Sequence, residues 1–313
     1  MEATAHADCL AVALAHAVLF GLLAWGPSSQ LLLRHVRHAR LLRQGLLVGS
    51  VAIIVLALSP WMFHLSERWC TVVAVAAITM SSILLLGGLF TVITCRIRAE
   101  AAPVPKRVLT VGAHPDDLEL ACGGTLAKLV DMGHDVHALV LSRGGVGGAA
   151  AVRCAEARDG ARRLGVGDVL VHDFPDTHLA LTSREMTLAI ENHIRSIDPH
   201  LIITHSAHDY HQDHLAVHQA VLRAARRHHS ILCFESPSVT SEFKPTVFFD
   251  VTDYMVVKQH AVQAHQDQLR GKRTYMQQQH LEGMAMFRGG QVRRERAEAF
   301  EVVRLLADQA GLV

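Results

Sequence analysis

The chain has 313 residues, with 30 Lys and Arg against 29 Asp and Glu, a formal net charge of +1 and 5% aromatic residues. That balance, with no basic run interleaved with aromatics, leaves no electrostatic case for a nucleic-acid partner. The six cysteines (Cys9, Cys70, Cys95, Cys122, Cys154 and Cys233) form no Cys-x-x-Cys pair; they read as scattered buried thiols rather than a disulfide framework, as in a reducing compartment.

Three long apolar stretches precede residue 96: Cys9 to Trp25, Leu46 to Phe63, and Thr71 to Thr94. Each approaches the roughly 20 residues that cross a bilayer as a helix. Residues 1–98 are therefore expected to form a membrane region with three transmembrane helices. His16 weakens the first stretch, and Pro60 ends or kinks the second. A cleavable signal peptide is the rival for the first. Glu2 and Asp8 precede it, with no Lys or Arg, which is the wrong charge for a secretory signal.

Basic residues set the orientation. Arg34, Arg37, Arg40 and Arg43 occupy the first loop, and only Arg68, beside Glu67, the second. Arg96, Arg98, Lys106 and Arg107 follow the third stretch. Positive loops stay in the cytoplasm. The reading is an integral, multi-pass membrane protein with its N-terminus outside and its globular domain cytoplasmic.

Residues 99–105, with two prolines, read as a linker, and residues 106–313 as the globular domain. Apolar, β-branched runs fall at 107–111, 135–141, 168–172, 201–204 and 231–234, with another near 247–251. Helical patterns lie between them, near 123–132, 153–164, 183–197 and 213–227. This alternation predicts an α/β domain with a Rossmann-like, mostly parallel sheet. Ligands of such sheets bind outside the carboxyl ends of the strands.

Two polar clusters fall there. Ala113-His114-Pro115-Asp116-Asp117 follows the first strand, and His211-Gln212-Asp213-His214 follows the fourth. His114, Asp117 and His214 supply three N/O ligands with an open fourth position, the layout of a catalytic zinc site. Taken singly, Pro115-Asp116-Asp117 is a helix cap or turn and His211/His214 a solvated pair; their coincidence at one sheet edge argues for the site. His205, His208 and Asp209 either line its mouth or sit on its polar loop. The glycine-rich stretch 144–148 lacks the Gly-Lys-Ser/Thr ending of a phosphate loop.

These two motifs in their strand context resemble the PIG-L/LmbE family of zinc-dependent N-deacetylases over roughly residues 106–305. The resemblance implies Zn2+, with Fe2+ as the other candidate at such ligands, and Asp116 as general base. It also implies His211 as the group that stabilises the oxyanion or protonates the departing amine, and Asp213 as the carboxylate that orients an imidazole. Arg153, in Arg153-x-x-Glu156, and Asp176 match sugar-binding positions; the plain alternative for Arg153 and Glu156 is a surface ion pair. Lys258, His265 and Gln268 resemble a family helix, and Arg288-Gly289 and Ala297–Phe300 its C-terminal stretch. Gly145 stands where many members carry Glu, and Gln212 where Pro is common.

The expected activity is removal of an acetyl group from an N-acetylglucosaminyl-type substrate, small or lipid-linked, at the membrane. The alternatives are a zinc amidase for another sugar or a thiol conjugate, a catalytically silent membrane-anchored sugar-binding protein, and, more weakly, a nucleotide-binding module. Oligomeric state is left open.

Overall fold

The computed structural model describes residues 2–25, 36, 39–63, 65–95, 101–102, 104–167, 169–271 and 273–306. The chain divides into two compact units, Met1–Arg98 and Ala99–Val313. Arg34, Arg37, Arg96 and Arg98, which set the expected orientation, lie outside the described residues, as do Ala99, Glu100 and Pro103 of the expected linker and Asp168 at the start of the third expected strand.

Among the described residues, the first unit contains three helices, α1 (Glu2–Trp25), α2 (Ala39–Met62) and α3 (Glu67–Thr94). Two segments among the described residues are long and apolar enough to cross a membrane, Leu41–Met62 in α2 and Arg68–Thr94 in α3. The sequence predicts three transmembrane helices; the apolar part of α1, Cys9–Leu23, is shorter and does not reach that length among the described residues. Pro60 lies within the last turn of α2 and does not end it. His16 is buried in this bundle. Its Nδ1 lies 3.3 Å from Ser50 Oγ on α2 and its Nε2 2.7 Å from Ser81 Oγ on α3, so an imidazole that looked like an interruption satisfies both ring nitrogens across the helices.

The second unit is a seven-stranded sheet in the order β3-β2-β1-β4-β5-β7-β6. Its strands are β1 (Arg107–Gly112), β2 (Asp135–Ser142), β3 (Val169–Phe174), β4 (Leu201–His205), β5 (Ile231–Phe234), β6 (Val247–Asp250) and β7 (Ala297–Arg304). The first five pair in parallel. β7 joins β5 and β6 antiparallel, so the sheet is mixed but mostly parallel. The helices are α4 (Asp117–Asp131), α5 (Ala150–Leu164), α6 (Ser183–Ile197), α7 (Gln212–Ala224), α8 (Met255–Val262), α9 (Gln266–Arg270) and α10 (Gln278–Gln291).

Strand order reverses between β1 and β4, which creates a crevice at their carboxyl ends. One face of the sheet (Leu109, Val111, Leu139, Leu141, Ile202) packs on Met186 and Ile190 of α6 and Val217 and Val221 of α7. Side chains of this kind contribute about 1.5–3 kcal/mol each on full burial, which makes this face a rigid base for the loops above it.

Helix α4 begins six residues before the expected 123, at Asp117, and is kinked at Cys122 (φ −136°). The kink frees two backbone donors. Gly124 N–H donates to Glu298 Oε1 (3.0 Å) and Thr125 N–H to Glu298 Oε2 (2.6 Å). Lys258 Nζ, 2.6 Å from Glu298 Oε1, balances the buried charge. The family-like Lys258 and Glu298 thus hold the helix that carries the first motif.

Candidate metal and catalytic centre

The loop from β1 into α4 places His114, Asp116 and Asp117 at the crevice, all buried. The Asp117 carboxylate is fixed locally, because its Oδ2 accepts the backbone N–H groups of Ala113 (2.9 Å) and His114 (2.7 Å). His205 ends β4, and His211 caps α7 with Asp213 and His214 in its first turn.

Among the described residues, the ligand-capable atoms form three overlapping groups, each within 4.8 Å: His114 with His211 and His214, Asp117 with His205 and His214, and His114 with Asp176 and Asp213. The expected set His114, Asp117 and His214 spans the first two. Asp117 links them, with Oδ2 3.5 Å from His114 Nδ1 and Oδ1 3.4 Å from His214 Nε2.

Two contributors went unassigned in the sequence. His205 is fully buried, stacks on the His214 ring at 3.9 Å, and reaches Asp117 Oδ2 at 3.1 Å. Asp209 lies 2.9 Å from His214 Nδ1 and accepts hydroxyl hydrogen bonds from Ser236 and Ser238. A polar residue closing the apolar run 201–204 was the available signal for His205. His208 lies away from these groups, on Glu301.

The electrostatics favour a cation. Burial opposes charge on His114 and His214, yet Asp117, aided by Asp176 and Asp213 for His114 and by Asp209 for His214, outweighs it. His114 is held well above the usual imidazole range, and His214 is raised to about 9. Carboxylates that draw protons onto two imidazoles make a negatively charged site with which a divalent cation is compatible. The N/O donor set suits zinc or iron.

Asp116 is set apart from that group. It occupies a non-glycine backbone position at φ 132°, a conformation that persists only when its surroundings enforce it. Arg153 does so, its guanidinium donating to Gly144 O (2.7 Å), Pro115 O (3.1 Å) and Asp116 Oδ1 (3.2 Å). Burial raises the Asp116 pKa and Arg153 opposes, with the Asp117 charge adding to the rise. Arg153, expected on a sugar, is only 4% exposed and uses these donors on protein oxygens.

His211 is half-buried, 4.4 Å from the His214 ring and 4.8 Å from the His114 ring. Its Nδ1 accepts the Asp213 N–H (3.2 Å), which leaves the proton of the neutral ring on Nε2. Burial, with His214 and His114, keeps its pKa low. Asp213 accepts from Thr177 N–H (2.7 Å) and Leu179 N–H (3.1 Å) and stands 3.2 Å from His114 Nε2. Asp176 Oδ1 is also 3.2 Å from His114 Nε2, and its Oδ2 accepts from Val146 N–H at 2.7 Å.

A sequence model of the family described as "PIG-L: GlcNAc-PI de-N-acetylase" matches residues 109–225. The uncharacterized deacetylase YaiS of Escherichia coli is 37% identical over 167 residues, covering 51% of this chain and 90% of that protein. The diacetylchitobiose deacetylase of Thermococcus kodakarensis is 31% identical over 209 residues, covering 59% and 78% respectively. Among solved structures, a conserved protein of Thermus thermophilus aligns with a TM-score of 0.58 at 25% identity, over 64% of this chain and 96% of that one. With YaiS matched over nine-tenths of its length and both motifs inside or beside the family segment, the chain belongs to the PIG-L/LmbE deacetylase family.

Proposed function

We propose that this protein is a metal-dependent, membrane-anchored hydrolase that removes the acetyl group from an N-acetylglucosaminyl-type substrate. The observation that carries the reading is the buried Asp117 carboxylate bridging two imidazoles, 3.5 Å from His114 and 3.4 Å from His214, with Asp116 held beside it by Arg153. His114, Asp117 and His214 would hold the cation. A divalent ion there supplies Lewis-acid polarisation of the acyl oxygen and acidifies water.

The chain's own residues do the rest. Asp116 accepts a proton through its carboxylate, whose affinity for that proton is increased by burial. Arg153 keeps that carboxylate aimed at the site. His211 presents Nε2–H to the developing oxyanion or the leaving amine, Asp213 and Asp209 fix the rings of His114 and His214, and Asp176 accepts hydrogen bonds from sugar hydroxyls. The amino-sugar substrate is supported by the relative named as a diacetylchitobiose deacetylase. The complete donor set weighs against the catalytically silent reading.

Membrane anchoring is supported by the two span-length helices and by their bare apolar surface. Val48, Ile83, Leu86 and Phe90 are each about two-thirds exposed, a surface suited to lipid rather than water. With the arginine-rich first loop, the proposed topology places the catalytic unit in the cytoplasm.

Offering the purified full chain a panel of N-acetylglucosaminyl compounds and measuring the free amine tests the reading. Release of glucosaminyl product is expected. A metal-loaded protein inert toward every member would remove the amino-sugar assignment.

A further inference from the structure

The first turn of α9, 265–268, and the glycine-rich loop 144–148 take no part in the chemistry above, yet they are joined to each other and to the site. Gln268 is 1% exposed. Its Nε2–H2 donates to Gly147 O at 3.1 Å and to Asp267 Oδ2 at 3.4 Å, while its buried Oε1 has no partner. Burying an unpartnered amide oxygen is unfavourable, so apolar packing does not account for a glutamine here; its donor does. The opposite amide orientation would set two acceptors face to face.

Neighbouring contacts seat the same turn. Asp267 N–H donates to Glu156 Oε1 on α5 at 2.9 Å. His265 Nε2 lies 3.4 Å from Glu119 Oε2, in the first turn of α4 just after Asp117.

The loop is shaped to this support. A Cβ at Gly148 would stand 1.8 Å from Asp267 Oδ2, and one at Gly144, where φ is +65°, would stand 2.1 Å from an Arg153 guanidinium nitrogen. Glycine lets the backbone close onto both side chains. One residue from the Gln268 contact, Val146 N–H holds Asp176 Oδ2, and Asp176 Oδ1 faces His114.

We propose that Gln268 is a positioning residue that fastens the glycine-rich loop and thereby fixes Asp176 for recognition of the sugar. The inference rests on the sugar-binding reading of Asp176. It makes Gln268 a determinant of substrate preference through two backbone contacts, with no contact to substrate.

The test is hydrogen–deuterium exchange of the metal-loaded full chain, wild type against Gln268→Met, with Gln268→Glu as a second variant. In wild type the Val146 amide should be protected. In Gln268→Met, peptides spanning 144–148 should exchange roughly three- to tenfold faster, the effect of losing one neutral hydrogen bond, while peptides over β1 and β4 keep their rates. The kcat/KM for a sugar-bearing acetamide should fall by a similar factor, and that for a sugar-free acetamide by less; a merely structural role would lower both together. An unprotected Val146 amide in wild type, or loop exchange unchanged in both variants, or a rise shared by every peptide, would overturn the proposal. Exchange is read without turnover, so a wild type inactive on all amino sugars would count against the functional reading and leave the loop result standing on its own.

Discussion

The carboxylate of Asp209 stands 2.9 Å from Nδ1 of His214 and so turns Nε2 of that ring toward Asp117, 3.4 Å away. Two serine hydroxyls and the His211 N–H hold Asp209 in turn. Carboxylates behind metal-bound imidazoles set tautomer and basicity. Asp209→Asn is therefore expected to weaken metal retention about 10–100-fold while the fold persists, measured by competition with a chelator of known affinity. Unchanged retention would exclude His214 from the ligand set or Asp209 from its support.

Asp116 neighbours the ligands without being needed as one. Asp116→Asn should keep its metal and lose roughly 10²–10⁴-fold in kcat, the usual scale for a positioned base. Metal content and turnover measured on the same preparation decide this. Near-normal turnover at neutral pH would place the base elsewhere.

Arg153 and Asp176 should separate by substrate. Arg153→Ala leaves the buried Asp116 unpaired, so it should lower turnover of sugar-bearing and sugar-free acetamides alike. It should also cost about 3–5 kcal/mol of stability in denaturant unfolding, the scale for breaking a buried ion pair. Asp176→Ala should lower kcat/KM about ten- to a hundredfold for the sugar substrate, the effect of losing a charged hydrogen bond, and by less for the sugar-free acetamide, through its contact with His114. If Arg153→Ala spares the sugar-free acetamide, its guanidinium reads the sugar directly.

The proposed topology is checked by single-cysteine labelling in sealed, right-side-out vesicles. A cysteine near residue 150 should stay unlabelled until the vesicles are opened. Labelling from the outer face would place the catalytic unit on the other side.

Much of this arrangement was legible in the residues. β1, β2, β4 and β5 announced themselves as largely apolar runs, because parallel strands covered on both faces need apolar residues at most positions. β7 was not recognised as a strand. Its Glu298 points to the Lys258 pair and the freed donors of α4, and its Glu301 to Ser206 and His208, so charges interrupt the pattern where the strand is functionally tied. The early start of α4 was obscured for a similar reason, since Asp117 and Glu119 are buried with histidine partners rather than exposed. Spacing along the chain pointed to His114, Asp117 and His214 as candidates. It could not find Arg153's hold on Asp116 or Asp209's on His214, because bonds between distant segments or within an irregular loop leave no periodic trace.

The central claim is that a cation held by His114, Asp117 and His214 is required for amide hydrolysis. The most direct measurement is free-amine release from an N-acetylglucosaminyl substrate by the chelator-stripped full chain, before and after adding back one equivalent of Zn2+ or Fe2+, with His214→Ala in parallel. The account predicts no release from stripped protein, recovery on adding the metal, and no recovery in the variant. Full activity of the stripped protein, or equal recovery by His214→Ala, would contradict it.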